Sequence, residues 1–294
     1  LSEKPEAEEV AVAFTEAYIK KMESTRTSYL VFWSDEEAEY AASRLLEAWE
    51  GVVPGVKDAQ KALNSIADDL VEKFSGSTSA PDIALFGRML ADRPQAKLVA
   101  ACQVAHAIST HTVAVEDDYW TAVDELQTEE ETGAGMLHYL GFNSACYYRY
   151  ACVDWGQLLS NLNGKAALAR RTVEGFLRAS ALAVPSGKRS AFAQNCEPAL
   201  LLAAVRSDGL AWNLANAFEK PVAPDREGGI IAPSVKALEA HWSRLCRKFG
   251  QESLRSASVW VADDALALGS LAASVHDRFD DWVANVIAAL PLAE

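Results

Sequence analysis

Residues 117–126, Asp-Asp-Tyr-Trp-Thr-Ala-Val-Asp-Glu-Leu, set two adjacent large aromatics inside a run of carboxylates. Glu116, Asp117 and Asp118 precede Tyr119 and Trp120; Asp124 and Glu125 follow them. Ionised carboxylates are too costly to desolvate for this stretch to be a core strand. The acids hold the segment in water, and its rings must project from something exposed. Rings so placed call for a cover. A nucleobase stacked on them is one; packing onto their own domain or a neighbouring copy is another. On composition alone both stay open.

The chain has 294 residues, 50% of them hydrophobic, enough for one large domain or a domain with a substantial insertion. Its formal charge of −14 argues against a surface broadly coated by nucleic acid, so any phosphate contact must come from local basic patches. The cysteines, Cys102, Cys146, Cys152, Cys196 and Cys246, are odd in number and form no Cys-x-x-Cys. That excludes a zinc ribbon or a disulfide framework and predicts reduced thiols in a cytoplasmic protein. No apolar run reaches the roughly 20 residues that span a bilayer, and no signal peptide is visible, so no membrane partner is expected.

Apolar spacing predicts a helix over 5–24. Tyr29–Trp33 is a β-prone run. Ser34 is placed to cap a helix whose first turn carries Asp35, Glu36 and Glu37 and which ends near Gly51. A further amphipathic helix is predicted over 57–74. After the polar linker Gly76–Pro81 come β-prone stretches: Asp82–Met89, part of Leu98–Val115, and Phe142–Val153, the last alternating along its length. Gly133, Gly135 and Gly141 read as breaks, so 112–141 forms a long excursion between two strands. Helices follow over 155–162 and 165–183, closed by Pro185; Leu200–Val205 is a buried-type strand; 233–250 and 263–289 are mostly helical. Helices and strands mix without strict alternation, which predicts an α+β fold with a mostly antiparallel sheet.

Three small constellations carry candidate chemistry. In Asp82–Met89, Gly87 gives the backbone room to approach a ligand, Arg88 suits a phosphate, and Met89 is a soft apolar wedge; a strand end with a solvated arginine is the plainer reading. In Pro185–Ser190, Lys188 and Arg189 are adjacent cations in a glycine-opened loop, suited to a phosphodiester backbone or simply solvated. His106 and His111, with Glu116, Asp117 and Asp118, suggest a metal-dependent nuclease. Their separation of five, however, serves one metal poorly on a strand or a helix. There is no Gly-x-Ser-x-Gly, no Walker loop and no Gly-x-Gly-x-x-Gly.

Five blocks in order carry a resemblance: Asp82–Met89, Ala105–His111, Asp118–Leu126, Phe142–Ala151, and Asn-Ala-Phe-Glu-Lys-Pro-Val at 216–222. Together they resemble the CasC family, the crRNA-binding backbone subunit of the type I-E CRISPR Cascade complex. The resemblance implies an RRM-like (ferredoxin-like) palm with a helical fingers insertion and a β-hairpin thumb. It divides the chain into fingers at 1–78, palm at 79–108, thumb at 109–143, and palm with C-terminal helices at 144–294. The family's N-terminal palm strand and basic block are not found in this chain.

The implied function is non-catalytic: a helical filament of head-to-tail copies along the crRNA, with other Cascade subunits, presenting the guide to target DNA in antiviral defence. Cutting belongs to a recruited helicase-nuclease, and no cofactor or metal is implied. Matched residue by residue, Tyr119 and Trp120 are the thumb aromatics, Met89 the palm-side intercalator with Arg88 beside it, and Lys188 and Arg189 the residues that touch the RNA backbone. The alternative is the nuclease of His106 and His111; a third possibility is a protein-only scaffold.

Overall fold

The computed structural model describes residues 4–20, 22–23, 25–122 and 136–291. In chain order the helices are α1 (Ala7–Ile19), α2 (Asp35–Glu47), α3 (Trp49–Val52), α4 (Ala59–Lys73), α5 (Pro81–Phe86), α6 (Trp155–Asn161), α7 (Ala166–Leu182), α8 (Arg189–Phe192), α9 (Ile231–Phe249) and α10 (Phe279–Ala289). The strands are β1 (Met22–Glu23), β2 (Arg26–Thr27), β3 (Cys102–Val104), β4 (Ile108–Ser109), β5 (Glu116–Ala122), β6 (Met136–Phe142), β7 (Tyr147–Tyr148), β8 (Ala151–Val153), β9 (Leu200–Arg206) and β10 (Leu254–Val261). The fold is mixed α+β. Among the described residues every sheet is two-stranded and antiparallel: β1 with β2, β3 with β8, β4 with β7, β5 with β6, and β9 with β10.

The chain forms two compact units. The first comprises Leu1–Val104, Ala151–Ala183 and Leu290–Glu294; the second comprises Ala105–Tyr150 and Val184–Ala289. In the first unit, Val10, Phe14 and Tyr18 of α1 pack with Ala41 and Leu45 of α2 and with Leu63, Ile66, Ala67 and Leu70 of α4. The helical spacing of these residues buries one face of each helix and leaves most of the acids outside. Ser34 caps α2 as its sequence predicts: its hydroxyl accepts from the Glu37 amide, and the Glu37 carboxylate accepts from the Ser34 amide at 2.8 Å, a complete capping box. Arg93 closes the C-terminal end of α1 by donating to the carbonyls of Ala17 and Tyr18, orphan acceptors of the last turn. Asn161 joins three segments: its side-chain amide donates to the Ala84 and Val99 carbonyls, each at 2.8 Å, while its backbone carbonyl accepts from the Thr78 amide.

In the second unit the β9–β10 ladder is covered on both faces. Val259 and Val261 join Leu238, Trp242 and Cys246 of α9 in the core. The alternate residues face α10, where the Trp282 indole donates to the Ser258 carbonyl at 3.0 Å and Asn285 accepts from the Ser258 hydroxyl at 2.7 Å. Tyr148 of β7 is part-buried; its hydroxyl accepts from the Leu214 amide and donates to Asn213, and burial pushes its pKa up to about 12.

Several expectations are corrected. Asp82–Met89 is not a strand: Pro81 at the first helical position and Asp82 in the first turn start α5, and Gly87 stops it. Tyr29–Trp33 forms no strand among the described residues; Tyr29, Val31 and Trp33 instead pack on the first core. Gly141 does not break the chain, since it pairs with Asp117 inside β6. Phe142–Val153 is three pieces, the end of β6, then β7 and β8, separated by 143–146 and 149–150. The strand β10, in a stretch that its sequence left unassigned, completes the β9 ladder. Gly133 and Gly135 lie outside the described residues. All five cysteines are free, and burial pushes Cys102 up to about 11, so this thiol is unreactive at neutral pH.

Candidate nucleic-acid interface

In the first unit, the segment after α5 turns sharply at Gly87, whose φ is +76° and ψ 175°. This region is open essentially to glycine alone. A Cβ there would lie 2.8 Å from both the Leu98 carbonyl oxygen and the Ala100 amide nitrogen. The close approach is thus to the chain's own backbone, not to a ligand, which corrects the expectation for Gly87. Gly87→Ala should cost about 1–3 kcal/mol, read as a lowered denaturant midpoint. A midpoint equal to wild type would show that the turn is not held as described.

Beyond Gly87 the chain bridges to Leu98 through reciprocal Arg88 and Leu98 backbone bonds of 2.9 Å. Successive side chains then alternate: Arg88 and Leu90 are buried, and Met89 between them is 76% exposed. Met89 thus faces solvent. Arg88 does not. Its guanidinium donates to the Glu37 carboxylate at 2.6 Å, to the Phe32 carbonyl at 3.1 Å and to the Ala96 carbonyl at 3.1 Å. The expectation that Arg88 binds phosphate is corrected: this cation is used inside the unit to neutralise the carboxylate that caps α2.

In the second unit, β5 and β6 form a hairpin in the register Glu116–Phe142, Asp117–Gly141, Asp118–Leu140, Tyr119–Tyr139, Trp120–His138. Tyr119 and Tyr139 are thus direct cross-strand neighbours, and they are 68% and 67% exposed. Trp120 is the next position of β5 and pairs with His138. The side chain of Trp120, and residues 123–135, lie outside the described residues. Tyr139 was missed in the sequence. Its signal is the alternation of Leu137, Tyr139 and Gly141, which becomes informative only once the register is known.

The hairpin root is anchored at Thr110. Its amide and hydroxyl donate to the Cys146 carbonyl, its carbonyl accepts from the Val222 amide, and its hydroxyl accepts from Ser234 of α9 at 2.8 Å. His111 belongs to the same anchorage. Its Nε2 accepts from the Cys146 amide at 3.1 Å, and its Nδ1 lies 2.8 Å from the Thr112 carbonyl, so both ring nitrogens are occupied. His106 is exposed. Among the described residues no three His, Cys, Asp or Glu side chains gather as metal ligands.

Lys188 stands at the residue before α8 and Arg189 begins the helix, and both are exposed without an ion-pair partner among the described residues. The Gln194 side chain ties their loop by donating to the Pro185 and Gly187 carbonyls at 3.1 and 3.0 Å. Phe192, one turn after Arg189, packs its ring against Phe142 at the hairpin root, with centroids 5.3 Å apart. This packing joins the helix bearing the two cations to the hairpin bearing the exposed tyrosines. Met89 lies in the first unit, whereas Tyr119, Trp120, Lys188 and Arg189 lie in the second.

Chains from two solved assemblies are similar to this one. A chain described as "CRISPR RNA-guided surveillance complex, pre-nicking" is 26% identical, with a TM-score of 0.72, over 96% of this chain and 78% of that chain. A chain described as "CRISPR RNA-guided surveillance complex" is 32% identical, with a TM-score of 0.63, over 71% of this chain and 78% of that chain. No curated protein matches. The family model described as "CT1975-like protein" matches residues 2–285. That match spans nearly the whole chain, and the chain belongs to the CT1975-like protein family.

Proposed function

We propose that this chain is a non-catalytic, crRNA-binding backbone subunit of a CRISPR surveillance complex of the type I-E kind. The observation that carries the reading is the second unit's exposed aromatic hairpin, packed at its root onto the helix that carries two uncommitted cations. The likeness to chains of RNA-guided surveillance complexes supports it. In this reading the hairpin belongs to a thumb at 109–143, the helices of 1–78 are fingers, and 79–108 with 144–294 supply an RRM-like palm and the C-terminal helices. Copies assemble head-to-tail along the guide with other Cascade subunits. The guide stays free to pair with target DNA, and a recruited helicase-nuclease does the cutting.

The chemistry follows from the side chains. The Tyr119–Tyr139 pair supplies a ring surface on which any base can stack, so binding is sequence-tolerant. Trp120, adjacent to Tyr119 in β5, is the second aromatic of a wedge that parts neighbouring bases. Met89 wedges from the first unit. Lys188 and Arg189 hold phosphates, which accommodates RNA despite the net charge of −14. Asp117 and Asp118 repel phosphate, so the arm parts bases without gripping the backbone. The nuclease reading draws no support from His111, whose ring nitrogens are spent on Cys146 and Thr112.

The test is the salt dependence of single-stranded RNA binding. Lys188→Gln/Arg189→Gln should weaken binding for every sequence and flatten the slope of log K against log salt by about 0.7 for each phosphate no longer neutralised. An unchanged slope removes these two residues from the interface.

A further inference from the structure

A cleft of about 500 Å³ opens in the second unit between the last turns of α9, the start of β10 and the 3₁₀ turn Gly269–Ser274. Trp242, Leu254 and Leu271 supply apolar wall, and Arg247, Arg255, Gln251 and Ser274 supply polar groups. Among the described residues none of those four polar side chains has a hydrogen-bond or ion-pair partner. The neighbouring cation Arg206 is different: it holds Asp208 through two bonds, at 3.1 and 2.6 Å.

The placement of Arg255 needs an explanation that the fold does not supply. The β9–β10 register steps from Leu254–Arg206 to Ser256–Val205, so Arg255 is the extra residue of a β-bulge. Bulges re-aim a side chain, and they are enriched beside binding sites. Arg247 lies in the last turn of α9, where a cation already complements the helix dipole; Arg255 has no such role. Among the described residues no acidic side chain lines the cleft. Glu239 lies close by, but its carboxylate accepts from the Ser243 hydroxyl and from both the amide and the hydroxyl of Ser270; these bonds, the Ser270 amide foremost, hold its pKa below the usual range.

We infer that this cleft is a nucleotide-phosphate site, separate from the hairpin interface. Two guanidinium forks suit a phosphate's paired oxygens. The amide of Gln251 and the hydroxyl of Ser274 suit a sugar or a base edge. The volume is within the range that holds a small ligand. The phosphate belongs either to a free nucleotide or to a nucleic-acid strand passing over the cleft.

The test is calorimetric titration of the full chain with 5′-AMP, inorganic phosphate and single-stranded dT10. Arg247→Gln/Arg255→Gln should weaken AMP binding by about tenfold or more. Arg255→Lys keeps the charge without the fork and should fall between the two. Lys188→Gln/Arg189→Gln should bind AMP as wild type does, which separates this site from the guide interface. Displacement of AMP by dT10 assigns the site to a strand, and AMP binding that dT10 leaves intact assigns it to a free nucleotide; either outcome supports the inference. AMP, phosphate and dT10 all binding the double variant as tightly as wild type, or none binding wild type, overturns it.

Discussion

Arg88→Met should destabilise the protein by about 3–5 kcal/mol, the usual cost of removing one partner from a buried ion pair. The side chains of Arg88 and Glu37 are only 2% and 3% exposed. Without Arg88, the Glu37 carboxylate stays buried with only the Ser34 amide and hydroxyl to stabilise it. The carbonyls of Phe32 and Ala96 lose the guanidinium as well. The second variant that makes this specific is Arg88→Met/Glu37→Gln. The introduced side-chain amide carries no charge, and its oxygen would still accept from Ser34, preserving the cap. The double variant should therefore recover most of the loss. Urea midpoints followed by helical circular dichroism measure both. A single-variant loss below about 1 kcal/mol would show that the pair is not desolvated as described.

Tyr119→Ala/Tyr139→Ala should weaken single-stranded RNA binding by about 1–3 kcal/mol for each base that loses its stacking partner. Both rings are exposed and neither supports a core, so the melting temperature should stay near wild type. That combination, lost affinity with retained stability, is the signature of an interface residue. The slope of affinity against salt should also be unchanged, because no cation has been removed. Trp120→Ala tests the second aromatic of β5 separately: if only one of the two positions wedges, one of the two variants will bind like wild type. Retained affinity in the combined Tyr119, Tyr139 and Trp120 variant would remove the hairpin from the site.

What was legible in the sequence was local. Ser34 and Glu37, three apart, announced the cap of α2; Pro185 announced the end of α7; the acids around Tyr119 announced an exposed arm. What was not legible depends on partners distant in the chain. Arg88 reads as a free cation until Glu37, 51 residues away, is found beside it. Glu37 itself reads as one more acid favouring a helix N-terminus, and nothing local says that it is buried. Tyr29–Trp33 has the residues of a strand, but a strand also needs a partner edge. Asp82–Phe86 has β-prone residues, yet Pro81 and Gly87 punctuate it as a helix. The Tyr119–Tyr139 pairing depends on register, which the hydrophobic pattern fixes only where one face is buried; on this exposed arm it does not.

The central claim is that the chain packages guide RNA, and the most direct measurement is the nucleic acid that accompanies it. Wild-type protein purified from cells expressing its CRISPR locus should show a 260/280 nm absorbance ratio well above that of protein alone. The bound RNA should survive nuclease as fragments of regular length. The Tyr119, Tyr139 and Trp120 variant should lose that regular protection. Bound RNA cut on addition of divalent metal, in a manner abolished by His106→Ala, would contradict the non-catalytic part of the account. A wild-type preparation with the absorbance of protein alone would contradict the central claim itself and favour a protein-only scaffold.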